Sequence, residues 1–184
     1  MTKRTVYFIR HGESTDNRDG LVGGAESDSL LTEEGKQQAK DTARELQGIQ
    51  FDLVVISPLS RVRQTADIIM RELNLALPVV VKQEFIEKYV GEFAGQPYPL
   101  YKAFKLTGGT SGESEIEMQD RVRSGLEWLK QQPFTNALVV SHSATIANVR
   151  TIIENLPLSQ LASVPRLKNG EIYKIFADDI PPLK

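Results

Sequence analysis

Two histidines are all that the 184-residue chain contains, and each closes a short apolar run. Val6–Ile9 leads into Arg10-His11-Gly12-Glu13, and Ala137–Val140 leads into Ser141-His142-Ser143. Two more β-branched runs end in polar residues: Leu53–Ile56 before Ser57-Pro58-Leu59-Ser60-Arg61, and Val79–Val81 ahead of Glu84 and Glu87. In open parallel sheets, ligands bind beyond the carboxyl ends of the strands. A single histidine after a strand is more often structural than catalytic. Both histidines in equivalent places, beside arginines and a glutamate, reverse that judgement.

Two histidines and a glutamate could begin a zinc site if a third ligand joined them. Arg10 and Arg61 argue otherwise, because guanidinium groups repel cations and match phosphate or carboxylate oxygens instead. The pattern therefore reads as an anion site with no metal and no cofactor. The chain has no cysteine, which excludes thiolate catalysis, disulfides and Cys-type zinc sites. It also lacks GxxxxGK[ST], a GxGxxG after the first run, and G-x-S-x-G. The candidate nucleophiles are thus Ser, Thr, Asp, Glu, Lys or His. Gly12 lets the backbone turn tightly behind His11.

The elements that must position these residues alternate between two periodicities. The apolar runs suit strands covered on both faces, with Glu171–Phe176 as a late strand. Thr32–Leu46 sets Ala39, Ala43 and Leu46 on one helical face, with Thr32 as N-cap. Pro58–Leu73 spaces Val62, Ala66, Ile69 and Leu73 helically, with Pro58 in its first turn. That helix would aim its positive end at the site. Ser114–Gln131 opens with the capping-box pattern Ser114-x-x-Glu117 and aligns Met118, Val122, Gly125 and Leu129. Ala144–Glu154 completes the set. Alternating strands and helices imply an α/β fold with helices on both faces of a parallel sheet. Gly91 to Gly112 is the least regular stretch, either a mobile flap over the site or a long surface excursion. Within it, Tyr98, Tyr101, Lys102, Phe104 and Lys105 suit either a cleft wall or a helix half in the core. The "DDIPPLK" tail reads as loosely ordered.

The length fits one domain. A net charge of −2 offers no bulk attraction to nucleic acid or an anionic membrane. With no spanning apolar segment and no signal-peptide pattern, a cytoplasmic location is expected.

The motifs, taken in order, resemble those of the histidine phosphatase superfamily, the phosphoglycerate mutase-like proteins. They are Arg10-His11-Gly12-Glu13-x-x-x-Asn17, "LLTEEGKQQA" (30–39), "SPLSRVRQTA" (57–66), "EKYVGEFAG" (87–95), "GGTSGESEIEMQDRV" (108–122) and "VVSHS" (139–143). The resemblance spans about residues 4–150 and implies a three-layer α/β/α sandwich around a mostly parallel sheet. It makes His11 a nucleophile that becomes phosphorylated and Glu87 the proton donor, chosen over Glu84 by the pattern Glu-x-x-x-Gly ending at Gly91. Arg10, Arg61 and His142 would complete a phosphate pocket, His142 as an imidazolium, with Asn17 as a further ligand. Ser143 stands where the family usually has glycine; its N–H still suits phosphate, while its β-carbon narrows the pocket.

The implied activity is hydrolysis of a phosphomonoester through phosphohistidine. The 55-residue interval from Glu87 to His142 resembles the shorter phosphatase members. A cofactor-dependent mutase is the alternative, and a non-catalytic phosphate-binding module a third. The expected partner is a small phosphorylated metabolite or a phosphoprotein, with the chain acting as monomer or homodimer. Ser57 is left between capping its helix and supporting the site, and Arg63 is expected to be a solvated helix residue. Glu13, Glu84 and Tyr89 are left between the site entrance and the surface.

Overall fold

A computed structural model of the chain describes residues 3–182. Five strands form one sheet in the order β3-β2-β4-β1-β5. They are β1 (Thr5–Arg10), β2 (Leu53–Ile56), β3 (Val79–Val81), β4 (Asn136–Ser141) and β5 (Ile172–Phe176). The first four run parallel, and β5 joins the edge antiparallel to β1. Six α-helices accompany them: α1 (Thr15–Arg18), α2 (Glu33–Glu45), α3 (Ser60–Glu72), α4 (Tyr98–Leu106), α5 (Glu115–Gln131) and α6 (Ser143–Ile153).

The central stretches of β1, β2 and β4 are apolar because the pleat sends successive side chains into two separate cores. Ile9, Val54, Ile56, Leu138 and Val140 face α2 and α3, where Ala39, Ala43, Leu46, Val62, Ala66 and Ile69 meet them. Val6, Phe8, Val55, Ala137 and Val139 face α5 and α6, against Met118, Val122, Leu126, Leu129, Val149 and Ile152. The architecture is the three-layer α/β/α sandwich expected from the motifs.

Local signals fix several boundaries. The Thr32 hydroxyl accepts the Gly35 N–H, capping α2. Ser114 and Glu117 form the reciprocal capping box that starts α5. The expectation for α3 needs correction: the helix begins at Ser60 after an N-cap at Leu59, so Pro58 lies outside it. The tail also differs. Ala177–Asp179 make a 3-10 turn, Ile180 is buried in the α5-side core, and Lys130 donates to the Ile180 carbonyl at 2.6 Å. Leu183 and Lys184, also in that tail, lie outside the described residues.

Within 91–112 the chain makes a 3-10 turn at Gly91–Phe93 and then α4, none of whose residues is buried. The reading of that aromatic stretch as a half-core helix is therefore corrected. Phe93 packs on Tyr101 and Phe104, with ring centroids 5.3 and 4.7 Å apart. The first part of the segment is tied down. Glu26 accepts the Gly91 N–H at 2.7 Å, Gly95 donates to Val22, and Leu21 bridges to Pro97. Gly91 itself has φ +59°, and a β-carbon there would lie 2.9 Å from the Gly112 nitrogen. Both facts account for the glycine that ends the Glu-x-x-x-Gly pattern. Among the described residues, no helix is long and apolar enough to cross a membrane.

Candidate active site

Sheet register brings the two histidines together. Arg10 pairs with Ser141 across β1 and β4, and the His11 N–H donates to the Ser141 carbonyl at 3.0 Å. On the other side of β4, the Ser57 N–H donates to the Val140 carbonyl at 3.1 Å. Ser57, His142 and His11 therefore leave three adjacent strands at the same level. The imidazoles meet edge to face with centroids 5.2 Å apart.

Both rings are buried, His11 at 3 % exposure and His142 at 0 %. His11 Nδ1 lies 2.7 Å from the Gly12 carbonyl oxygen, which can only accept. Nδ1 therefore carries the proton and Nε2 keeps its lone pair. Burial, then Arg61 and Arg10, hold the His11 imidazole well below 6.5, so it rests neutral. His142 is likewise held well below 6.5, by burial and then Arg61, His11 and Arg10. The imidazolium expected at His142 is thus not its resting form. Its Nε2 lies 2.6 Å from Ser57 Oγ, while Nδ1 has no partner among the described residues.

The guanidiniums are held by backbone carbonyls. Arg61, on the first turn of α3 and 3 % exposed, donates to Ser27 at 2.7 Å and Gly24 at 2.8 Å. Arg10 donates to the Leu167 carbonyl at 2.6 Å, and its buried Nε has no partner among the described residues. Burial lowers both arginine pKa values, and the nearby Glu87 opposes the shift in each. Glu87 follows a short 3-10 turn after β3 and accepts backbone N–H groups from Lys88 at 2.9 Å and Ala144 at 3.2 Å. The second bond fastens it to the first turn of α6, beside His142 and Ser143. Ser143 opens α6, and its carbonyl faces Arg166 at 3.4 Å.

Asn17 sits in α1. Its Oδ1 accepts the Ser14 N–H at 3.2 Å and Asn169 Nδ2 at 3.1 Å, which commits the amide oxygen and leaves the amide N–H groups as donors. Asn169 also donates to the His11 carbonyl at 3.0 Å. The turn before β5 thus holds three pocket residues from behind: Arg10 through Leu167, and His11 and Asn17 through Asn169. Sequence reasoning missed it, although the Asn169-Gly170 pair ahead of a strand was a turn signal.

Gly12 is required for a different reason than expected. A β-carbon there would lie 2.8 Å from the Gly35 carbonyl carbon and 3.0 Å from its Cα. The backbone behind His11 packs directly on the first turn of α2. Thr65 completes this seat by accepting the Gly12 N–H at 3.1 Å.

Other candidates separate cleanly. The first turn of α3 does not face the site as an anion cradle, because the Asp28 carboxylate takes the Ser60 N–H at 2.6 Å and hydroxyl at 2.8 Å. Glu84 pairs with Lys82 at 2.9 Å, and Glu13 accepts the Thr32 hydroxyl at 2.7 Å. Arg63 and Tyr89 are exposed. Ser57 is no helix cap; it serves His142.

The site is a pair of neutral, buried imidazoles between two carbonyl-anchored guanidiniums and a backbone-held carboxyl, on the rim of a parallel sheet. The chain belongs to the histidine phosphatase superfamily (branch 1), whose family model matches residues 6–179. It is 32 % identical over 150 residues to a protein named "Uncharacterized phosphatase PhoE" from Bacillus subtilis, covering 80 % of this chain and 76 % of that one. It is 30 % identical to "Probable phosphoglycerate mutase GpmB" from Erwinia tasmaniensis, covering 92 % and 83 %. Among solved structures, the alpha-ribazole phosphatase of Shigella flexneri superposes with a TM-score of 0.83 at 26 % identity, over 92 % of this chain and 89 % of that one.

Proposed function

We propose that the protein is a phosphatase that hydrolyses a phosphomonoester in two steps through phosphohistidine, without a metal. The observation that carries this reading is the His11 ring: buried, neutral, with Nδ1 tied to Gly12 and Nε2 unprotonated. In the first step Nε2 attacks phosphorus in line and the ester P–O bond breaks. Glu87 gives the departing oxygen its proton. In the second step water attacks the phosphorus, Glu87 takes a proton from it, and the P–N bond breaks to release inorganic phosphate. Phosphoryl transfer depends on positioning and on charge spread over the equatorial oxygens. Arg10 and Arg61 meet that charge with donors whose orientation is already fixed by Leu167, Ser27 and Gly24. His142 supplies a further donor to the phosphoryl group, and Asn17 and the Ser143 N–H border it.

The substrate is a small phosphorylated metabolite. Relatives named as phosphatases support hydrolysis, and those named as phosphoglycerate mutases support a transfer alternative in which the same phosphohistidine returns phosphate to a sugar-acid product. Phosphate release from a panel of phosphorylated metabolites, with and without a bisphosphate primer, separates the two. Hydrolysis predicts release that vanishes in His11→Ala and an acid-labile phosphoenzyme trapped on rapid quenching. Isomerisation dependent on the primer, without release, would replace it with the mutase reading. No turnover and no phosphoenzyme on any substrate would defeat both and leave a phosphate-binding module.

A further inference from the structure

Ser57 is the one fully buried hydroxyl at the site whose sole described partner is an imidazole nitrogen. Its Oγ lies 2.6 Å from His142 Nε2, and both residues are 0 % exposed. Its place is fixed by the sheet, since its N–H extends the β2–β4 ladder by one residue through Val140. The other His142 nitrogen, Nδ1, is buried with no partner among the described residues.

A neutral imidazole carries one ring proton, so His142 has two arrangements. With the proton on Nε2, that nitrogen donates to Ser57 Oγ. The serine proton then has no acceptor, and Nδ1 presents a bare lone pair to an arriving phosphoryl group. With the proton on Nδ1, Ser57 donates to Nε2, and the buried Nδ1–H is the one group of the pair left for a phosphoryl oxygen to accept. The first arrangement leaves two buried groups unpaired, the serine proton and the Nδ1 lone pair, and the second leaves only Nδ1–H, which an anion can satisfy. An unpaired buried polar group is costly, which selects the second. We propose that Ser57 is a positioning residue that locks His142 into its Nδ1–H form, so that a neutral ring can donate to the phosphoryl oxygens. This rests on the phosphatase reading above and deepens it. No proton has to be taken up by a pocket that already holds two guanidiniums, consistent with the direction in which His142 is shifted. His11 reaches the same tautomer by another route, through the Gly12 carbonyl. Its task is the reverse: the nitrogen that meets phosphorus must be the one without the proton.

The chain's two histidines make the test direct. Long-range proton–nitrogen correlation spectra of the 15N-labelled protein distinguish Nδ1–H from Nε2–H imidazoles, and His11→Ala assigns the two signals. Both rings are expected as Nδ1–H in the wild type. In Ser57→Ala, His142 should move toward Nε2–H while His11 stays unchanged. Affinity for orthovanadate and kcat/KM should then each fall at least tenfold, and Ser57→Thr should restore the tautomer and part of the rate. An Nε2–H signal for His142 in the wild type overturns the proposal, with no variant needed should Ser57→Ala fail to fold. So does a Ser57→Ala protein with the tautomer and vanadate affinity of the wild type. The spectra do not depend on turnover. An Nδ1–H His142 in a protein without phosphatase activity would refute the functional reading and leave the tautomer assignment standing.

Discussion

The seat behind His11 invites a substitution on which two physical effects disagree. Gly35 lies in the first turn of α2, where alanine is the better helix former by up to about 1 kcal/mol. Propensity alone predicts that Gly35→Ala stabilises the protein. The backbone around it says the opposite. A β-carbon at Gly35 would lie 2.8 Å from Glu13 N and 2.9 Å from Glu13 C, whereas ordinary contact begins at 3.4 Å. The Glu13 carbonyl oxygen would lie closer still, so the loop and the helix would have to part by more than the nitrogen alone requires, and neither side can turn a rotamer to make room. Overpacking of a tight site costs about 1–3 kcal/mol, and the upper end applies where both partners are backbone. Gly35 also donates the N–H that Thr32 caps at 3.0 Å, so the same shift weakens the cap, at about 0.5–1 kcal/mol. The balance is a net loss of about 2–3 kcal/mol. For a chain of this length that corresponds to a fall in Tm of roughly 4–12 °C. Because the loop carries His11, activity should fall as well. Differential scanning calorimetry of wild type and Gly35→Ala measures the first effect, and kcat/KM on an activated aryl phosphate the second. A Tm equal to or above that of the wild type would show that the loop yields freely, and the role assigned to the Gly12–Gly35 contact would be wrong.

Glu87→Gln keeps the shape but removes the proton; kcat/KM should fall by about 10²–10⁴. Orthovanadate affinity should change little, and an equal loss in both would assign Glu87 to binding instead. Asn169→Asp sets a carboxylate against the His11 carbonyl and Asn17 Oδ1, which now accept from Asn169 at 3.0 and 3.1 Å. KM should rise about tenfold, and more than in Asn169→Ala; equal effects would mean that the amide only fills space. Stability should also depend on pH through the histidines. Both are held well below 6.5 in the folded protein and return toward 6.5 on unfolding, so below about 6.5 the unfolded chain binds the extra protons. The urea midpoint should therefore fall from pH 7.5 to 5 more in the wild type than in the doubly substituted His11→Asn, His142→Asn protein. Matching slopes would contradict the burial argument.

Local chemistry made a large part of this molecule legible. A strand covered on both faces must be apolar at every position, so Val6–Ile9 and Ala137–Val140 announced themselves. Thr32 and Ser114 announced α2 and α5, because a cap acts within one turn. The segment 91–112 was harder. Its irregular pattern left a mobile flap and a surface excursion both open, while the contacts that tie its start down come from Val22 and Glu26, far away in sequence.

The sequence by itself determined which groups stand on the sheet rim, and that they are suited to an anion: two histidines, two arginines and a glutamate beyond four strand ends. The motif order assigned the family. Tertiary structure decided the state of each group. Burial beside two guanidiniums makes the resting imidazoles neutral, where the family resemblance had implied an imidazolium at His142 beside phosphate. Ser57 and the Gly12 carbonyl offer each ring a different partner for its inner nitrogen. Asn169 and the carbonyls of Leu167, Ser27 and Gly24 aim the polar groups from behind. Protonation and orientation follow from dielectric and hydrogen-bond partners, both set by residues distant in the chain, and no local pattern encodes them.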